Sequence, residues 1–119
     1  MSKTDFTDIR LKHISWRVKL NDFLEGKPGM TEEQATSHEA CDVGKWLYSK
    51  GMKKYGTMPE MQELEKIHVA LHSTVINIIS LKQSGNIFDE KEELEKLDKF
   101  LRKIMFLLVD IEQKLLQAH

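Results

Sequence analysis

The sequence has a single cysteine, only two prolines and no apolar run approaching the roughly 20 residues that span a bilayer. Each scarcity excludes something. The lone Cys41 cannot close an intrachain disulfide, whereas secreted domains this small often rely on several. The N-terminus, MSKTDFTDIR, also lacks the charged-then-apolar pattern of a signal peptide, so a cytoplasmic location is expected. Neither sign of charge is in excess, with 18 basic against 19 acidic residues. Nothing is left over to neutralise a phosphate backbone or an anionic membrane, and neither nucleic acid nor membrane is an expected partner. The 119 residues suit one domain, 1–119, with no room for a second, catalytic one.

What the chain does have is helical periodicity. Breakers cluster at Gly26-Lys27-Pro28-Gly29, Gly51, Gly56-Thr57-Met58-Pro59 and Gly85-Asn86, leaving three long uninterrupted segments. In the first, Phe6, Ile9, Trp16, Leu20 and Phe23 follow steps of three and four only if His13 fills the gap. The middle segment starts near Pro59 and aligns Met61, Leu64, Leu71, Val75 and Ile78, and its missing member is His68. The last segment needs no substitute, because Leu94, Leu97, Leu101, Ile104, Leu108, Ile111 and Leu115 keep the steps throughout. Asp89 with Glu92 reads as the N-terminal cap of this helix and Gly85 as the stop of the one before. Between the first and middle helices, Thr31-Glu32-Glu33-Gln34 resembles a capping box. Asp42 to Lys50 is long enough for about two helical turns before Gly51, with Cys41 at their entrance. The expected fold is all-α: an antiparallel four-helix bundle of three long helices and a short Cys-bearing one.

His68 and His72 are spaced so that both imidazoles leave one helix face about a turn apart. Zinc takes neutral imidazole and thiolate in a four-coordinate tetrahedral site, and His13 with Cys41 completes a set of three histidines and one cysteine. Each residue alone has a plainer reading. A histidine on an apolar seam is usually a hydrogen-bonded core residue, such a histidine pair arises by chance on solvated faces, and a single cysteine usually packs as a small hydrophobe. Together they carry more weight, because several unpaired imidazoles buried near one another are costly without a ligand. His38, three residues before Cys41, is an alternative or supporting ligand; Glu39 and Asp42 read as solvated groups beside the thiol.

The run Cys41-Asp42-Val43-Gly44-Lys45-Trp46-Leu47 resembles the Cys-x-apolar-Gly-x-Trp-apolar signature of the chemoreceptor zinc-binding (CZB) domain family, and the resemblance extends over nearly the whole chain. It places the family's first-helix histidine on His13 and its paired histidines on His68 and His72. By packing, Gly44 allows close approach of the short helix and Trp46 anchors it. The resemblance implies a regulatory input that senses zinc, or oxidants through the zinc-bound cysteine, for a chemotaxis or cyclic-di-GMP signalling partner. No output domain is attached, and Met1 favours a free-standing chain acting on a separate protein over an excised domain.

The alternatives are a purely structural zinc protein or a di-iron bundle. Iron sites of that kind need paired Glu-x-x-His elements, and only Glu65 to His68 forms one, since Val69 precedes His72 and Arg10 precedes His13 at that spacing. A four-ligand zinc site also leaves no open position for hydrolytic water, so no enzymatic activity is expected. Trp16, Phe100, Phe106 and Leu107 exceed what one narrow seam per helix needs, which leads to the expectation of a homodimer.

Overall fold

A computed structural model describes residues 3–117, with side chains from Phe6 onward. Met1 lies outside them. The long helices are α1 (Lys3–Leu24), α5 (Pro59–Gln83) and α6 (Ile87–Gln117); between the first two lie α2 (Glu32–Thr36), α3 (Asp42–Trp46), a π-helical turn (Leu47–Gly51) and α4 (Met52–Tyr55). No described residue is in a strand. No helix among the described residues is long and apolar enough to cross a membrane.

The seams read from the sequence are the buried faces. Phe6, Ile9, His13, Trp16 and Leu20 of α1 meet Met61, Leu64, His68, Leu71, Val75 and Ile78 of α5 and Leu97, Leu101, Ile104, Leu108 and Ile111 of α6 in one core. Ion pairs at the edge of that core report the directions. Arg17 pairs with Asp98 at 2.8 Å and Arg10 with Glu112 at 2.7 Å, so α1 runs against α6. Glu63 pairs with Lys103 and Glu60 with Lys114, so α5 does too. The α5–α6 turn needs only Ser84, Gly85 and Asn86, because Gly85 takes the left-handed conformation (φ 75°) that ends α5.

Local chemistry moves three expectations. The cap of α6 is Asn86 rather than Asp89: the Asn86 Oδ1 accepts from the Asp89 N–H at 3.2 Å while its Nδ2 donates to the Asp89 carboxylate at 2.7 Å. Asp89 is thus the third residue of the helix, where its charge also suits the helix dipole. Gly51 is not a stop. It keeps a helical φ of −58° at the end of the π turn, and the missing side chain makes room for Trp46, whose ring atoms would lie 3.1–3.2 Å from a Cβ there. The apolar surplus is also differently placed. Trp16 and Leu107 are buried and Phe100 is partly so, leaving Phe106, at 64% exposure, alone among the four as free surface. The exposed apolar face of α1 is instead Leu11, Ile14 and Val18, again at steps of three and four.

Candidate metal centre

Cys41 is placed by a helix start. It is the N-cap of α3, with extended backbone angles, and its sulfur accepts from the Gly44 N–H at 3.3 Å. Ser, Thr, Asp or Asn ordinarily hold that position, so cysteine gives up some capping strength for a thiol pointed at the bundle axis. Gly44 is demanded by the loop before it, since a Cβ there would lie 1.9 Å from the His38 carbonyl oxygen. Trp46 is buried with its ring edge-on to Phe6, centroids 5.7 Å apart, and this ties α3 to α1.

Opposite stands α5, whose one-turn spacing presents His68 and His72 on the buried face, each about 2% exposed. Ligand atoms of Cys41, His68 and His72 all lie within 4.8 Å of one another. The Cys41 sulfur is 3.2 Å from His68 Nε2, and the two imidazole centroids are 4.8 Å apart with rings nearly perpendicular.

These separations suit one small ion. With Zn–N bonds of about 2.0–2.1 Å and tetrahedral angles, two ligating imidazoles place their centroids about 5 Å apart, and sulfur and nitrogen ligands sit about 3.5 Å apart. An orphaned polar atom fits as well. His72 Nδ1 donates to the Ala35 carbonyl at 2.8 Å, which fixes the lone pair on Nε2, and that nitrogen is buried without a hydrogen-bond partner. Such an atom costs about 1–3 kcal/mol in an apolar interior, and a metal bond is a natural compensation. On His68 the nitrogen that faces the Cys41 sulfur is Nε2, and Nδ1 is buried without a hydrogen-bond partner on the other side of the ring.

Burial dominates the proton affinities. It lowers His68 to about 3, helped by the neighbouring charges of His72, His38 and His13, and lowers His72 to about 4 against the raising effect of its bond to Ala35. Both rings are therefore neutral and ready to donate a lone pair at neutral pH. Burial raises the Cys41 thiol despite the Gly44 and Val43 N–H groups, which pull the other way. The helix entrance alone does not make a thiolate here. A cation supplying that deprotonation is consistent with the chemistry of coordinated thiols.

His13 stands beside this cluster rather than within its three-residue core. It is about 5% exposed and donates from Nε2 to the Leu101 carbonyl at 3.0 Å, which leaves its free lone pair on Nδ1. His38 also borders the cluster, its ring edge-on to His68 at 6.5 Å and to Tyr48 at 5.8 Å. Tyr48 is pushed up to about 12 by burial and then by its hydrogen bond to Glu65. That bond engages the single carboxylate on which an iron reading leaned, and no carboxylate joins the cluster among the described residues. The carbonyls of Ala35 and Leu101, which orient two of the rings, carry no sequence signal, since every residue has one.

A buried cysteine and two histidines on facing helices of an all-α bundle define a metal-binding domain. The chain belongs to the chemoreceptor zinc-binding domain family, which it matches over residues 13–79, more than half its length and all four candidate ligand positions. Zinc is the metal of that family, and Cys41, His68 and His72 are a candidate site for it here. Comparisons with curated proteins and with solved structures give no match.

Proposed function

We propose that the chain is a regulatory zinc module, not a catalyst, in which His13, Cys41, His68 and His72 hold one ion and the Cys41–metal bond is the switch. The observation that carries this reading is the convergence of Cys41, His68 and His72 within 4.8 Å, with the sulfur on a short helix and both imidazoles on a long one. His13 joins through Nδ1, the nitrogen its bond to Leu101 leaves free. Breaking the sulfur bond releases α3 from α5 while the apolar seams persist, and the loosened segment is what a separate chemotaxis or cyclic-di-GMP signalling protein reads.

Access favours a small reagent. A cavity of about 320 Å³ lined in part by Trp16, Lys19, Gln34 and Asp42 borders Cys41, while the cysteine itself is only 4% exposed. Hypochlorous acid is of the right size: the sulfur attacks chlorine and hydroxide leaves, then water displaces chloride from the S–Cl bond to give sulfenic acid, a poorer ligand that a cellular thiol restores. A bulky alkylating reagent is excluded. A reducing cytoplasm suits this chemistry, since it keeps a lone cysteine reduced and available.

The test begins with the metal. Protein purified without chelator should carry about one zinc per chain, and His68→Ala or His72→Ala should abolish stoichiometric binding. Oxidation of Cys41, verified by mass spectrometry, should speed hydrogen exchange around residues 40–51 and leave 94–115 unchanged. Zinc retention with unaltered exchange would overturn the oxidant switch and leave a zinc-occupancy sensor or a purely structural site.

We further propose a homodimer through the α1–α6 face. Leu11, Ile14 and Val18 give it an apolar stripe, and Ile14 and Val18 border a cavity of about 340 Å³ with Leu101 and Met105. Ile14→Glu should yield monomers by light scattering at concentrations where the parent chain is dimeric. A monomeric parent chain at high micromolar concentration sinks the idea.

A further inference from the structure

We infer that His38 is a reserve ligand, which takes over the coordination position of Cys41 when that sulfur leaves the metal, so that the ion stays on the α5 histidines. The inference rests on the proposed zinc site and adds a fifth residue to it.

His38 is an uncommitted imidazole. Its nearest charged neighbour is Glu39 at 3.7 Å, beyond hydrogen-bond reach, and no hydrogen bond to its ring is found among the described residues. Its side chain is about one-third exposed, so the ring has room to turn. Tyr48 lies against one side of it, edge-on at 5.8 Å, and His68 against another at 6.5 Å.

The second observation is a distance that is short but not short enough. Two imidazoles on one zinc have centroids about 5 Å apart, as His68 and His72 nearly do, whereas His38 falls about 1.5 Å beyond that reach from His68. While Cys41 is in place, its sulfur, 3.2 Å from His68 Nε2, holds the fourth coordination position. With the sulfur gone, rotation about the His38 side-chain bonds covers the remaining gap.

The backbone keeps the ring close at that moment. Three residues before His38, the Ala35 carbonyl is hydrogen-bonded to His72 of α5 at 2.8 Å, so the loop carrying His38 stays tied to α5 when α3 moves. The exchange is a simple ligand substitution. The imidazole lone pair forms a Zn–N bond as the Zn–S bond breaks, and no electron transfer is required. The resulting four-histidine set is one zinc accepts, with one positive charge more than the thiolate form.

A double-mutant cycle on the full chain tests this, with zinc affinity read by competition against a chromophoric chelator. His38→Ala alone should change affinity less than about threefold, Cys41→Ala should weaken it about 10–100-fold, and the double variant should lose at least about a further tenfold, the scale on which supporting groups act at metal sites. Cobalt(II) provides a second reading. In Cys41→Ala the sulfur-to-cobalt charge-transfer band should vanish while the intense visible bands of a tetrahedral ion remain; in the double variant those should fade as well. Cys41→Ser, which keeps a polar cap on α3, is measured alongside in case alanine unfolds the short helix.

Equal effects of His38→Ala in both backgrounds overturn the inference. So does complete loss of zinc in both Cys41 variants, because the ion is then not retained. A loss in His38→Ala alone as large as in His68→Ala overturns it differently, by making His38 a resting ligand. Absence of zinc from the parent chain defeats the underlying site itself, and is distinguishable from all three.

Discussion

The α5–α6 hairpin and the segment from Glu32 to Tyr55 are built in opposite ways. The hairpin is two helices of 25 and 31 residues joined by a three-residue turn, with an apolar seam along both. The segment is a five-residue helix, α2, and one helical stretch, 42–55, interrupted by a π turn at 47–51, each too short to be more than marginally stable alone. It persists through individual contacts: the Trp46 ring on Phe6, Trp16 Nε1–H donating to the Gln34 carbonyl at 3.2 Å, and the Ala35 carbonyl holding His72. Cys41 is on the weak half, while His68 and His72 are on the strong one. A metal shared between them therefore ties a segment of low local stability to one of high stability, which is where a conformational switch belongs.

The largest expected effect breaks this contrast by attacking the strong half through its site. His68 and His72 are held by burial at about 3 and about 4, whereas an unfolded histidine titrates near 6.5. Below about pH 6.5 the unfolded chain takes up protons that the metal-free fold refuses. The stability they contribute is whole above that pH and is lost as pH falls towards the folded values. With both histidines resisting, the slope reaches about 2.7 kcal/mol per pH unit, enough to unfold a small domain before pH 4. Urea titrations of zinc-free protein from pH 7.5 to 4.5 should show it, with His72→Ala flattening the curve. A flat profile in the parent chain contradicts neutral burial of these rings.

A core truncation sharpens the comparison next. Ile104 is fully buried on the α6 seam, and Ile104→Ala should cost about 2–5 kcal/mol in urea unfolding of the zinc-free protein. Met52→Ala, at a partly buried position of the broken segment, should cost less than about 1.5 kcal/mol. Equal losses would mean that the two halves share one cooperative core and that the weak segment is not weak.

The same division explains what could be read from the sequence. Long seams are legible because burial imposes steps of three and four, and those of α1, α5 and α6 run as their apolar residues indicate. The histidines at 13 and 68 were visible as gaps in those steps, and Thr31 with Gln34 forms the capping box its spacing suggests. The broken segment was less legible because its turns depend on tertiary contacts. Gly51 looks like a stop until the Trp46 ring is seen to need its space, and Asp89 looks like a cap until Asn86 is seen to hold it. Apolar surplus on a helix likewise does not say which residues the core will take: Trp16 and Leu107 went in, and Ile14 and Val18 stayed out.

The smallest effect is the most discriminating, because one kind of change, loss of a helix cap, can be made in both halves. Thr31→Ala removes the hydroxyl that accepts from the Gln34 N–H at 3.1 Å, and Asn86→Ala removes the carbonyl that accepts from the Asp89 N–H at 3.2 Å. Each loss is worth about 1 kcal/mol to its own helix. In α6 that helix is part of the global core, so Asn86→Ala should lower unfolding free energy of the zinc-free protein by nearly that amount and leave zinc affinity unchanged. In α2 the helix is five residues long and its role is to hold Ala35 against His72. Fraying there costs global stability little, because the zinc-free segment already opens readily. Zinc must reorder it, however, so Thr31→Ala should weaken zinc binding about three- to tenfold, following from the same 1 kcal/mol. Chemical denaturation and chelator competition on the two variants measure both quantities. If Thr31→Ala lowers stability and spares zinc affinity, the capping box belongs to the core, and the metal does not depend on order in the broken segment.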